Sequence, residues 1–236
     1  MNLLLLVPGD ILDDGTALLT GRRHEHAREV LRVLAGETLR VGVRGGTCGI
    51  ADVVSEGTEG LRLRLMLDAD PPPRAGVSIV LAIPRPKALR RVIPAVASLG
   101  VDRVVLVNAA RVEKSYFDSK VLDPAYLDGL IDLGLEQARD TCPPRIEMRE
   151  RFRPFVEDEL DEWAGASVRL LPHPAARAAV PRVESNRPVT LAIGPDGGWV
   201  PFEVELLERC GFAPVSLGPR ILRVEVAVSY LLGRIR

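Results

Sequence analysis

Two glycine- and proline-rich turns, each following an apolar run that alternates as a strand does, constrain this chain more than any other feature. In the first, Val189, Leu191 and Ile193 alternate before Gly194, Pro195, Gly197 and Gly198, and Leu191 to Trp199 reads LAIGPDGGW. In the second, Pro214 to Leu217 lead into Gly218 and Pro219, inside the run SLGPRILRVEVA from Ser216 to Ala227. Glycine makes a positive φ cheap and leaves no side chain in the way of a ligand. If the two strands are neighbours in a parallel sheet, both turns lie at its carboxyl edge, where open α/β sheets bind ligands. The expectation is one pocket made of two loops; the plainer alternative is two αβ units with tight turns.

Neither run has the spacing GxxxxGK[ST] of a phosphate-binding loop or the GxGxxG of a dinucleotide fold, so backbone at this edge must hold something else. Arg220, Arg223 and Glu225 crowd the second turn and favour chemistry there over plain turn geometry.

The pair IGPDGG and LGPRILRVE resembles the signature of the SPOUT-superfamily RNA methyltransferases, and within it the ribosomal RNA small subunit methyltransferase E family, which methylates N3 of a uridine. Similar agreement runs through REVLRVLAGETLRV (Arg28 to Val41), LGVDRVVLV (Leu99 to Val107), LEQARDTCPP (Leu135 to Pro144) and LPHPAA (Leu171 to Ala176), so the likeness spans almost the whole chain. It implies an α/β fold: a small PUA-like β-barrel over residues 1–70 that helps hold RNA, then a SPOUT methyltransferase domain over residues 74–236 with a parallel sheet and a C-terminal trefoil knot. It also implies S-adenosyl-L-methionine as cofactor, ribosomal RNA or the small ribosomal subunit as partner, a homodimer and a cytoplasmic location.

By the same resemblance, Leu171, Gly194, Gly197, Gly198, Leu217 and Gly218 line the cofactor pocket together with Ile221 and Leu222, holding the adenine through main-chain bonds and apolar contacts. His173, Pro195, Arg223 and Ala227 complete that set. Uridine N3 is a poor nucleophile until its proton leaves, so a cation, a base or both are needed. Arg223 is the candidate for stabilising the anion, and Glu225 for accepting the proton or orienting Arg223; an acidic residue at a helix start interacting with the dipole is the plainer reading of Glu225. The family has threonines flanking this glutamate where the chain has Val224 and Val226, and commonly a glutamate where it has Asp196. The missing hydroxyls leave open a noncatalytic RNA-binding or ribosome-assembly factor, and the motifs leave open another target nucleotide. A nucleotide-binding α/β hydrolase finds no support, because there is no phosphate-binding loop, GxSxG elbow or metal cluster.

The net charge of −1 excludes a simple polycation but not a local patch. Lys plus Arg number 14 against 10 Asp plus Glu in residues 71–153, whereas the flanking thirds are net acidic. Within that basic third, Arg74, Arg85, Lys87, Arg90 and Arg91 meet no acidic residue between Asp70 and Asp102. Arg85, Lys87, Arg90 and Arg91 are accordingly candidate RNA contacts, with Arg22, Arg23 and Arg32 in the amino-terminal part; a solvated helix face is the alternative.

Cys48, Cys142 and Cys210 are far apart with no CxxC, which suggests neither a disulfide framework nor a zinc site and fits a reducing cytosol. His24 and His26 flank Glu25 and read as surface histidines without a third ligand, so no metal is expected. The opening MNLLLLVPGD is too short and lacks the basic start of a signal peptide, and reads as a first strand. Up to about residue 70, short apolar runs alternate with glycine, and Leu61, Leu63 and Leu65 interleave with Arg62 and Arg64 at a period of two. One helix is expected there from the helical spacing of His26, Val30 and Leu34 and of Ala27 and Leu31, ending at Gly36. After the stiff Asp70-Pro71-Pro72-Pro73 linker, strand and helix alternate, as a parallel sheet requires.

Overall fold

In a computed structural model, residues 2–235 are described, apart from the side chains of Arg22, His26, Val30 and Leu31. The chain divides into two units: residues up to Pro73 with Asp132–Pro143, and Arg74–Ile131 with the residues from Pro144 on.

The first unit holds β1 (Leu4–Leu6), β2 (Thr16–Leu19), α1 (Gly21–His26) continued by a π-helical turn over Ala27–Leu31, β3 (Thr38–Val43), β4 (Cys48–Gly57) and β5 (Gly60–Ala69). Among the described residues these strands form a sheet of order β1-β3-β4-β5-β2, parallel between β1 and β3 and antiparallel elsewhere. The period of two in β5 sends Leu61 and Leu63 into a core with Leu6, Leu19 and Val41, while Arg64 on the other face is exposed. Gly60 is required at the β4–β5 turn: its φ is +133° and a Cβ there would stand 2.4 Å from the Leu19 carbonyl oxygen.

Two expectations in this unit are corrected. The helical segment stops at Leu31, because Arg32 takes a left-handed φ of +53°, and Leu34 is 66% exposed instead of lying on a helix face. His24 is buried, with Nε2 3.0 Å from Glu56 Oε1, and is no surface histidine; α1 packs against β5, which carries its inner side out of water. The side chain of His26 lies outside the described residues.

The second unit alternates strands and helices: β6 (Val77–Ala82), α2 (Pro86–Ser98), β7 (Arg103–Val107), α3 (Pro124–Ala138, its residues from Asp132 grouped with the first unit), β8 (Arg145–Arg149), a helical run of α4 (Phe152–Pro154), a π turn (Phe155–Glu159) and α5 (Leu160–Ala164), then β9 (Val168–Pro172), β10 (Val189–Ile193), α6 (Pro201–Arg209), β11 (Ala213–Val215) and α7 (Val224–Ile235). The strands run β11-β9-β10-β6-β7-β8 and every pairing is parallel. Each residue of β10 is buried, as in a parallel strand covered on both faces. Val80, Val105, Ala192 and Leu171 face Phe155, Trp163 and Leu207 in one core layer. The fold is α/β with a parallel sheet.

The strands before the two glycine turns are not neighbours, contrary to expectation. β9 lies between β10 and β11 and pairs with both, placing the buried Leu170 and Leu171 in the slot between them. The run LAIPRP (Leu81 to Pro86) is like LAIGPD (Leu191 to Asp196), and the strands leading into them, β6 and β10, are adjacent and parallel, paired from Val77↔Val189 to Leu81↔Ile193, two residues offset from the sequence likeness.

Candidate active site

The carboxyl ends of β9, β10 and β11 open into a cavity of about 580 Å³, within the range of small-molecule sites. Three loops line it, not two: Pro172–Ala175 after β9, Gly194–Trp199 after β10, and Leu217–Arg223 after β11, with Val224 and Ala227 of α7 and Arg111 completing the wall. Both glycine turns depend on left-handed backbone, at Gly198 (φ +72°) and Gly218 (φ +100°).

The first turn is closely fitted. A Cβ on Gly194 would stand 3.1 Å from the Trp199 indole and 3.2 Å from the Trp199 main-chain nitrogen, and one on Gly197 would stand 3.1 Å from Arg111 Cδ. The Arg111 guanidinium donates to the Gly197 carbonyl. Trp199 is buried against Phe152 with ring centroids 5.2 Å apart, and its indole N–H has no hydrogen-bond partner among the described residues. Behind the turn, α6 begins with Pro201, and the buried Glu203 ties two loops together: Oε2 accepts from Val200 N at 2.9 Å and Oε1 from Ala110 N at 2.7 Å. A carboxylate at a helix start is favoured by the dipole and here also satisfies main-chain donors that would otherwise be stranded.

Of the residues marked for the cofactor, His173, Gly194, Pro195, Gly197, Gly198, Leu217, Gly218, Ile221, Leu222, Arg223 and Ala227 all line this cavity. Leu171 does not. It is fully buried in the strand core, because its turn in the alternation of β9 points into the layer with Phe155 and Trp163. Arg223 is exposed and free of ion pairs among the described residues; its carbonyl accepts from Ala227 N at 2.8 Å, so it sits at the amino end of α7, where the helix dipole adds to its charge. Glu225 is outside the lining residues, and its partner is Arg91 on α2, with Oε1 3.3 Å from Nη1.

The arginines assigned to RNA fare unequally. Arg23 makes a bidentate pair with the buried Asp10, at 2.6 Å through each oxygen; that carboxylate holds its guanidinium pKa above the usual arginine value. Arg85 lies 3.2 Å from Asp196 on the first glycine turn, and Arg90 lies over the Tyr126 ring at 5.7 Å. Lys87 and Arg32 are exposed, and the side chain of Arg22 lies outside the described residues. Arg111 and Trp199 were not singled out by sequence reasoning. Trp199 closes the LAIGPDGGW run itself, and Arg111 follows the apolar strand RVVLV, whose carboxyl end shares the sheet edge with the glycine turns. Among the described residues no group of His, Cys, Asp and Glu is arranged to hold a metal ion, and no helix is long and apolar enough to cross a membrane.

Comparison with known proteins shows the family to which the chain belongs. Over 96% of its length the chain is 29% identical to the ribosomal RNA small subunit methyltransferase E of Treponema pallidum, covering 87% of that protein. Over 98% of its length it is 26% identical to the protein of the same name from Synechocystis sp., covering 76% of it. Its fold resembles that of a ribosomal RNA small subunit methyltransferase E from Neisseria gonorrhoeae solved with S-adenosyl methionine, with a TM-score of 0.78, 18% identity, and coverage of 97% of this chain and 94% of that one. The family model of the RNA methyltransferase domain matches residues 71–236, the stretch that contains the whole parallel sheet, its glycine turns and the cavity. The chain belongs to the RNA methyltransferase domain family.

Proposed function

We propose that the protein transfers the methyl group of S-adenosyl-L-methionine to N3 of a uridine in small-subunit ribosomal RNA. The observation that carries this reading is the cavity itself: glycine turns at the carboxyl edge of a parallel sheet, lined also by Arg220 and Arg223, which form no ion pair among the described residues, in a chain of the RNA methyltransferase family whose relatives are named ribosomal RNA small subunit methyltransferases.

The residues present fit the cofactor. Gly194 and Gly197 leave only tight space for a side chain, against Trp199 and Arg111, and the Trp199 indole N–H beside the wall has no hydrogen-bond partner among the described residues. Gly194, Gly197, Gly198, Leu217 and Gly218 would hold it through backbone, and Ile221 and Leu222 would cover it; Ile221, 88% exposed, has apolar surface to contribute. The bound sulfonium supplies an already activated methyl group, so the protein's task is alignment and exclusion of water. N3 lies on the Watson–Crick edge, and the target base must be unpaired or flipped to reach it. Arg223, at the amino end of α7, stabilises the negative charge that N3 carries once deprotonated. Glu225 acts through Arg91 by fixing the first turn of α7, which bears Val224 and Ala227 of the wall.

The same reading takes the first unit as a PUA-like barrel that grips RNA, the connections at the β11 edge as a trefoil knot, the working form as a homodimer and the location as the cytoplasm. The test is transfer of labelled methyl to small ribosomal subunits lacking the uridine N3 mark, followed by nucleoside mass spectrometry. Label recovered as 3-methyluridine is the expected result; cofactor binding with no label in any ribosomal particle would overturn it in favour of a binding-only role.

A further inference from the structure

A second cavity, of about 240 Å³, adjoins the first on the far side of the β11–α7 loop; the two share Gly218. Its wall consists of Arg177, Ala179, Val180, Ser216, Gly218, Tyr230 and Arg234. Separate parts of the chain converge to make it. Ser216 N donates to Ala178 O at 2.7 Å, and Ala179 bridges to Ser216 in parallel, which lays Arg177 beside the end of β11. Tyr230 and Arg234 are four residues apart on α7 and so share a face.

The chemistry of this wall is one-sided. It carries two guanidiniums, a phenol and a hydroxyl, and no carboxylate. Ser216 Oγ accepts from Gly218 N at 3.2 Å, which leaves its own O–H free to donate. Neither Arg177 nor Arg234 forms an ion pair among the described residues, whereas Arg23, Arg85 and Arg91 each do. An arginine already paired gives up that pair to reach a phosphate; an unpaired one does not. The volume is below that of sites for drug-sized ligands but ample for a tetrahedral oxyanion, which suits guanidinium forks.

We infer that this second cavity is a phosphate subsite that takes a backbone phosphodiester of the RNA strand whose target base enters the larger cavity. The inference rests on the RNA methyltransferase reading of that larger site. The RNA path it describes crosses the β11–α7 loop, from Arg220 and Arg223 on one side to Arg177 and Arg234 on the other, and is distinct from the ion-paired Arg85 and Arg91.

The test measures binding of a small-subunit ribosomal RNA fragment across a range of salt concentrations, beside calorimetric titration of S-adenosyl-L-methionine, for the wild type, the double variant Arg177→Ala/Arg234→Ala and its charge-retaining counterpart Arg177→Lys/Arg234→Lys. The alanine variant should bind RNA more weakly and lose about 0.7 to 1 unit from the slope of log K against log salt, as one phosphate contact implies, with cofactor affinity unchanged. The lysine variant should recover most of that slope. An unchanged slope in the alanine variant, with wild-type RNA binding intact, would overturn the subsite while leaving the methyltransferase reading in place. Wild-type protein that shows no salt-dependent RNA binding would overturn both. A third arm titrates inorganic phosphate alone: saturable binding abolished by the alanine variant, combined with an unchanged RNA slope, would assign the cavity to a free anion and overturn the RNA assignment.

Discussion

Arg91 Nη1 stands 3.3 Å from Glu225 Oε1, with the carboxylate side chain only 16% exposed, so the first turn of α7 is tied to α2 by the carboxylate two positions from Arg223. A glutamate held this way positions a helix. Glu225→Gln should therefore keep methyl transfer within about tenfold of wild type, because loss of a general base costs about 10²- to 10⁴-fold. Arg91→Ala should produce a loss of similar size. Steady-state kinetics of both variants checks this, and a collapse of kcat confined to Glu225→Gln would return the proton-acceptor role to it.

Arg223→Ala removes the exposed cation at the amino end of α7 without touching the glycine turns. Transfer should fall by about 10²-fold or more, on the scale of one lost electrostatic donor, while affinity for S-adenosyl-L-methionine changes little. Single-turnover rates beside calorimetric Kd values separate the two effects.

The glycines of the first turn should rank by what surrounds them. Gly194→Ala meets the main-chain nitrogen of Trp199 at 3.2 Å, which cannot swing aside, whereas Gly197→Ala meets Arg111 Cδ, the middle of a flexible side chain. Gly194→Ala should raise the cofactor Kd more than Gly197→Ala does, and Gly197→Val, whose branched side chain fills the loop, should abolish binding. A titration with unchanged affinity for Gly197→Val would dismantle the assignment of this turn.

Glu203→Ala removes the acceptor of two part-buried main-chain donors, on Val200 and Ala110, at a cost of about 1 kcal/mol each. Denaturant midpoints should drop accordingly. Since Ala110 precedes Arg111, which holds the Gly197 carbonyl, cofactor affinity should weaken as well.

Burial pushes the thiols of Cys48 and Cys210 above their ordinary pKa. Raised folded-state values mean that this contribution to stability is intact below the unfolded-state pKa and declines as pH climbs through the folded one, a window on the alkaline side of neutrality. Both thiols should alkylate more slowly than a free cysteine at pH 7.5 and catch up only at higher pH, as timed mass spectrometry of iodoacetamide labelling would show.

Much of this was legible in the sequence. The alternation of Val189, Leu191 and Ile193 and the glycine turns after them mark the edge where the cavity opens. What periodicity could not reveal is sheet order. VRLLP, from Val168 to Pro172, is a short run without strict alternation, and only the packing of Leu170 and Leu171 puts it between β10 and β11. Leu171, which the family resemblance put at the pocket, has its side chain in the core layer of that strand. Side-chain partners were equally hidden: the sequence neighbour of Glu225 is Val224, but its charge partner is 134 positions away at Arg91, and the orphaned indole of Trp199 is a property of its burial alone.

Parallel neighbours cannot be joined by a hairpin, so β9, β10 and β11 meet only through long connections, and α7 supplies the last wall of the cavity. During synthesis, then, a chain that has emerged only as far as β11 has most of its sheet and none of its second glycine turn. Methyl-donor binding should be acquired abruptly, when Leu217 to Ala227 clear the ribosome.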